Sequence, residues 1–216
     1  MVILHIILII LVIILSLYLG AITFYPNIEE YCKNITITPF DQIKNINNGD
    51  LIFLSGNTAG ERLCKSCCMC MFSHVGMLFV ENNIIYIIDC DLGQKMRDGV
   101  RVQKLDDKLK HYHGSTIGAL RKIKKQISLE NILSLVEKYK NVDFDNTMLS
   151  WVFCNTPLLK DMFSSPTKMF CSEFIARLSV DLNLLNKSII PTSFSPTSFY
   201  NGYDDIFDKP ILFKFK

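Results

Sequence analysis

The chain has no basic stripe and no pattern of aromatic residues interleaved with Lys or Arg, so nothing in it points to nucleic acid as a partner. The net charge of +2 gives no strong bias toward a charged surface. There are no internal repeats, which argues against solenoids and propellers. The eight cysteines, Cys32, Cys64, Cys67, Cys68, Cys70, Cys90, Cys154 and Cys171, lack the spacing of a disulfide framework. A reducing compartment is the simpler reading and places the globular part in the cytosol. No Lys or Arg precedes the first apolar run. That absence, with the length of the run, weighs against a cleaved signal peptide.

The run itself, Val2 to Phe24, is almost wholly aliphatic. As a helix it spans roughly 34 Å, against about 30 Å for a bilayer core. The expectation is a single-pass transmembrane anchor over 1–25, a linker over 26–47 and one domain over 48–216. Glu29, Glu30 and Lys33 follow the run and leave the positive-inside rule little to act on. Two sequons, at Asn34 and Asn186, matter only for a lumenal domain.

Beyond the linker, short apolar runs bounded by turn formers predict strands. They cover Leu51 to Leu54, Val75 to Val80, Ile84 to Ile88, Gly99 to Val102 and Thr116 to Ile123. Asn82-Asn83 suits a tight turn, because Asn tolerates positive φ. The succession reads as an antiparallel meander. Ser128 can cap a helix carrying Ile132, Leu135, Val136 and Tyr139 at helical spacing. Residues 141–166 read as short helices and loops. Ser172 to Leu182 reads as a second helix and 184–200 as a Pro- and Ser-rich loop. Ile211 to Phe213 suggests a final edge strand. The class is α+β, a transmembrane helix followed by an antiparallel sheet packed on helices.

Two short motifs carry chemistry. Cys171 lies in Phe170-Cys171-Ser172-Glu173-Phe174, at the start of a helix, where free N–H groups and the macrodipole favour an anion. His74 lies in Ser73-His74-Val75-Gly76-Met77, at the start of a strand. Gly76 leaves space on the same strand face. A two-residue turn at Asn82-Asn83 sets Glu81 opposite Ile84 and His74 opposite Asp91, with Asp89 two residues along on the same face. Either carboxylate can orient the ring, and Asp89 continues the strand more cleanly. Taken singly, a buried cysteine or histidine is more often inert; the pairing favours a thiol nucleophile with its base. His111 and His113 read as surface residues, and Asp143-Phe144-Asp145 as turn chemistry. Glu173 reads as an exposed first-turn carboxylate. Cys64, Cys67, Cys68 and Cys70 form a tight cluster without a second ligand pair at zinc spacing. A buried loop, a lid beside His74 or a lipid-attachment site are the alternatives.

These residues resemble the circularly permuted branch of the papain-like, NlpC-type cysteine hydrolases, a group that includes lecithin:retinol acyltransferase and a poxvirus family. The matching segments are Gly49 to Phe53, Ser73 to Met77, Ile85 to Asp89, Gly118 to Arg121, Val142 to Asp145 and Phe170 to Phe174, with a proline-containing tail from Pro191 to Thr197. In that branch the histidine precedes the cysteine. The resemblance runs from about residue 48 to 200. It implies a thiolate at Cys171, a base at His74 and a polar orienting residue at Asp89, with no cofactor and no metal. With the Ile-, Asn- and Lys-rich composition it points to a large DNA virus, a poxvirus, as source. The expected activity is hydrolysis or acyl transfer at an amide or ester, on a lipid-linked or protein substrate near a membrane. Two rivals are a catalytically silent structural protein that keeps the fold and a zinc-stabilised interaction module.

Overall fold

Short apolar runs form the strands of this protein, and seven of the nine described strands join into one sheet. The computed structural model describes residues 28–68, 70–92, 98–145, 165 and 167–215, together with Val12, Leu15, Ser16 and Leu19. β2 (Leu51–Leu54) lies at the centre, antiparallel to β3 (His74–Glu81) and to β6 (Ile117–Arg121). β3 turns into β4 (Ile84–Asp91) through Asn82 and Asn83, whose φ angles are 50° and 62°. Positive φ at both positions matches the twist of a tight hairpin. Glu81 pairs with Ile84, as the sequence predicts, and Met77 with Ile88. β5 (Gly99–Lys104) continues the meander, with Asp89 opposite Arg101 and Asp91 opposite Gly99.

The other edge departs from the expected antiparallel meander. β9 (Ile211–Lys214) is antiparallel to β6, and β1 (Thr38–Pro39) runs parallel to β9. The sheet is therefore mixed, in the order β1-β9-β6-β2-β3-β4-β5. β1 arises from the polar lead-in, and Pro39 suits an edge, where a missing N–H costs no ladder bond.

The sheet is buried on both faces, so its central strands carry unbroken apolar runs rather than alternation. Leu51, Phe53, Val75, Met77, Ile88 and Cys90 face one cluster. Ile52, Leu54, Leu78, Ile87, Leu120 and Phe213 face the other. α5 (Cys171–Asp181) packs on β3 and β4 over the first face. Phe174, Ile175 and Leu178 are fully buried there, each contributing roughly 1.5–3 kcal/mol relative to exposure. α4 (Leu129–Tyr139), capped by Ser128 as expected, lies on the same side. α3 (Leu105–Lys110) covers the second face with Leu105 and Leu109.

Four expectations change. Among the described residues no helix is long and apolar enough to cross a membrane. The anchor expected over 1–25 falls almost entirely outside the described residues, and the architecture stands as an α+β domain with a large mixed sheet. α1 (Ile28–Tyr31) and a 3-10 turn at Cys32–Asn34 press Ile28 and Cys32 into the core. The Cys64 to Cys67 region is α2 (Ala59–Cys67) rather than a loop, with a Thr58–Glu61 capping box at its start. Residues 184–200 contain α6 (Pro196–Asn201), where Pro196 occupies the first helical turn and needs no N–H partner. Of 141–166, Asp143–Phe144 forms β7, paired in parallel with β8 (Lys168–Met169). Most of the remainder lies outside the described residues.

Candidate active site

The sheet and α5 bring Cys171 and His74 together. Cys171 occupies the first position of α5, one residue earlier than the sequence predicts for the helix. Phe170 precedes it as a cap residue without a side-chain oxygen, so the first-turn N–H groups have no side-chain cap. Ser172 Oγ donates to Phe194 O at 2.9 Å and ties this turn to the segment before α6. Cys171 is 6% exposed, and its Sγ donates to Ser73 O at 3.8 Å. Ser73 directly precedes His74, so the thiol rests on the backbone that presents the imidazole. A hydrogen bond with Cys171 also acts on the His74 ring.

His74 opens β3 and is buried. Its Nε2 lies 2.8 Å from Asp89 Oδ2, which leaves Nδ1 as the ring nitrogen able to face sulfur. Of the two carboxylates the hairpin offers, Asp89 takes this place. Continuing the β3–β4 register puts Asp89 across from Gly76 and diagonal to His74. Gly76 serves a different purpose from the one its sequence position suggests. A Cβ there would lie 2.6 Å from Ile87 Cδ1, so the glycine admits Ile87 beneath the carboxylates rather than a nucleophile.

Asp89 is fully buried and multiply paired. Lys108 Nζ, from α3, donates to it at 2.7 Å and to Asp91 at 2.6 Å. Arg101 on β5 donates through Nε to Asp89 at 3.3 Å and through Nη2 to Asp91 at 2.7 Å. Burial alone would raise the Asp89 pKa, but Lys108, His74 and Arg101 outweigh it and hold the group well below the usual carboxylate range. Burial and the Lys108 charge both work against an imidazolium at His74. The charge of Asp91 and the hydrogen bonds to Asp89 and Cys171 prevail and raise His74 to about 10. The imidazole is therefore held in its cationic form at neutral pH.

Lys108 and Arg101 escaped the sequence reading. Arg101 alternates onto the face of β5 that meets Asp89, a pairing visible once β4 and β5 are set in register. For Lys108 the signal was a short amphipathic helix: Leu105 and Leu109 four apart, Asp106 and Asp107 in the first turn, Lys108 and Lys110 in the last. His74, Asp89 and Asp91 bring three metal-competent atoms within 4.8 Å of one another, the only such group among the described residues. The Lys108 ammonium bridges the two carboxylates at the distances above, so the space between them already holds a cation. The described thiols of Cys64, Cys68 and Cys70 do not assemble into a comparable group.

Glu173 is the second correction at the site. Expected to be exposed, it is 2% exposed, in the first turn of α5. Burial raises its pKa to about 7, against the lowering effect of Arg177, which donates to Glu173 Oε1 at 2.9 Å. His111 and His113 are exposed, as expected. Cys32, Cys64, Cys70, Cys90 and Cys171 carry free thiols. A cleft of about 760 Å³ beside β1 and α3 is lined by Ile37, Phe40, Leu109 and Phe215, among others, and by none of the site residues above.

The geometry defines a buried cysteine–histidine–aspartate arrangement on an α+β sheet. No protein-family model matches this chain, and no curated protein does. Among solved structures, the chain is similar to the YiiX metalloprotein of Escherichia coli O157:H7, at 18% identity and a TM-score of 0.47. The match covers 63% of this chain and 66% of that one, just under two thirds of its length.

Proposed function

We propose that this protein is a cysteine hydrolase or acyltransferase of the permuted papain-like, NlpC-type group, acting on an amide or ester. The observation that carries the reading is one imidazole with two partners: Nε2 bonded to the buried Asp89, and the Cys171 thiol at a helix start against the adjoining backbone. Cys171 attacks the substrate carbonyl as thiolate, forming a C–S bond and an oxyanion. The Cys171 backbone N–H supplies one donor to that oxygen. His74, as imidazolium, gives its proton to the departing amine or alkoxide, and the tetrahedral centre collapses to a thioester. Neutral His74 then takes a proton from water or an acceptor hydroxyl as that oxygen attacks the thioester. The acid is released with water and a new ester with an acceptor, and the thiolate–imidazolium pair is restored. Asp89 stays ionised throughout and orients the ring.

The test uses p-nitrophenyl butyrate with purified protein. The expected result is nitrophenol release with a butyryl adduct on Cys171 by peptide mass mapping, both lost in Cys171→Ala. Equal release by wild type and Cys171→Ala, or no adduct at all, would favour a catalytically silent scaffold.

A further inference from the structure

The carboxylate pair beside His74 presents an electrostatic problem that Lys108 solves. An imidazolium next to two carboxylates has counter-charges other than sulfur, and Asp89 Oδ2 lies 2.8 Å from its Nε2. If Asp89 and Asp91 faced His74 alone, the imidazolium would neutralise one of them. The site would remain anionic overall, a poor setting for a thiolate. The structure supplies two cations to two carboxylates instead. Lys108, on α3, bridges Asp89 and Asp91 at 2.7 and 2.6 Å, and Arg101, on β5, spans the same pair at 3.3 and 2.7 Å. The four charges cancel, and the imidazolium charge is left over.

We propose that Lys108 is a positioning residue for the Cys171–His74 pair: it neutralises the carboxylates behind the histidine, so that the Cys171 thiolate becomes the counter-charge of the imidazolium. This inference rests on the thiol reading of the site. Lys108 does not touch the reacting atoms. It reaches the second face of the sheet from α3, whereas Cys171 reaches the first face from α5. The ionisable groups that meet His74 are Asp89 and Asp91 from β4, Lys108 from α3 and Cys171 from α5, with Arg101 from β5 behind the carboxylates. Tyr112, from the segment between α3 and β6, feels the charges of Asp91 and Cys171. Lys108 is 6% exposed, buried with both acceptors in place, which is the setting in which a single charge has the greatest reach.

The sign of the effect separates a charge role from a packing role. Removing Lys108 leaves the carboxylates under-neutralised. The imidazolium is then held more tightly and the thiolate less favourably. Iodoacetamide alkylation of Cys171 at pH 6, read peptide by peptide, should fall roughly tenfold in Lys108→Met. Lys108→Arg, which keeps the charge, should follow wild type. Asp91→Asn removes the opposite charge and should raise labelling at pH 6. The double variant Lys108→Met/Asp91→Asn removes one charge of each sign and should return toward wild type. The double variant and Asp91→Asn keep the test open if Lys108→Met fails to fold. A folded Lys108→Met with wild-type labelling, or a folded Asp91→Asn with no change, would overturn the inference. Failure of the thiol reading looks different: wild-type Cys171 would then show no labelling at pH 6 for any variant to change.

Discussion

Two buried cations, Arg121 and Lys108, sit on opposite sides of the molecule's logic. Arg121, on β6, is fully buried and donates to backbone carbonyls of Phe199, Gly202, Phe207 and Asp208, with Asp204 as its one carboxylate partner. Most of its acceptors are neutral carbonyls in a single stretch of chain, so its work is to fasten 199–208 to the end of β6. Lys108 is nearly as buried, but both its acceptors are charged and one of them holds His74. An unmet backbone carbonyl affects folding, whereas an unmet carboxylate alters the proton affinity of everything near it. The same burial thus serves anchoring in one region and charge control in the other.

Variants sharpen that contrast, and the largest expected effect is on the anchoring side. Arg121→Met should cost about 3–5 kcal/mol in chemical denaturation, since it strands several buried carbonyls. Cys171 labelling in the fraction that remains folded should be unchanged. Asp89→Asn should cost about 2–4 kcal/mol and also change the chemistry. His74 gains stability from its partners because it titrates near 10 when folded and at 6.5 otherwise. That stabilisation is complete below pH 6.5 and is lost as pH rises toward 10. Thermal melts at pH 6 and pH 10 should therefore diverge in wild type and converge in Asp89→Asn.

Glu173 runs in the same direction for a different reason. A carboxyl raised from 4.5 to about 7 by burial costs the fold stability progressively as pH rises from 4.5 to 7, and that loss is complete above 7. Glu173→Gln should be neutral at pH 4.5 and stabilising by on the order of 2 kcal/mol at pH 8. The smallest effect belongs to an exposed cation. Lys138, 55% exposed, pairs with Asp181 at 2.6 Å. Lys138→Ala should change stability by less than about 0.5 kcal/mol. A loss comparable with that of Arg121→Met would break the link between burial and effect.

Much of this site was legible where local pattern and final geometry agree. The Asn82-Asn83 turn set the β3–β4 register, and with it the face shared by His74, Asp89 and Asp91. The apolar spacing after Cys171 marked its helix to within one residue. The role of Lys108 was not legible, because it reaches Asp89 only through the packing of α3 on the sheet, a contact with no local signature. Glu173 was misread for a similar reason. A first-turn carboxylate is ordinarily solvated, and only the burial of nearly the whole of α5 against the core encloses it. The parallel β1–β9 pair joins residues at opposite ends of the chain, beyond the reach of periodicity. The helix α2, started by a Thr58–Glu61 capping box, went unread because the cysteine cluster reads first as a loop.

The most direct measurement of the central claim is the rate at which iodoacetamide modifies Cys171 at pH 6, followed by peptide mass mapping in wild type and in His74→Ala. With a cationic His74 beside it, wild-type Cys171 should react at least about tenfold faster than Cys171 in the variant and faster than Cys90 in the same molecule. Equal rates for Cys171 in the two proteins would contradict it.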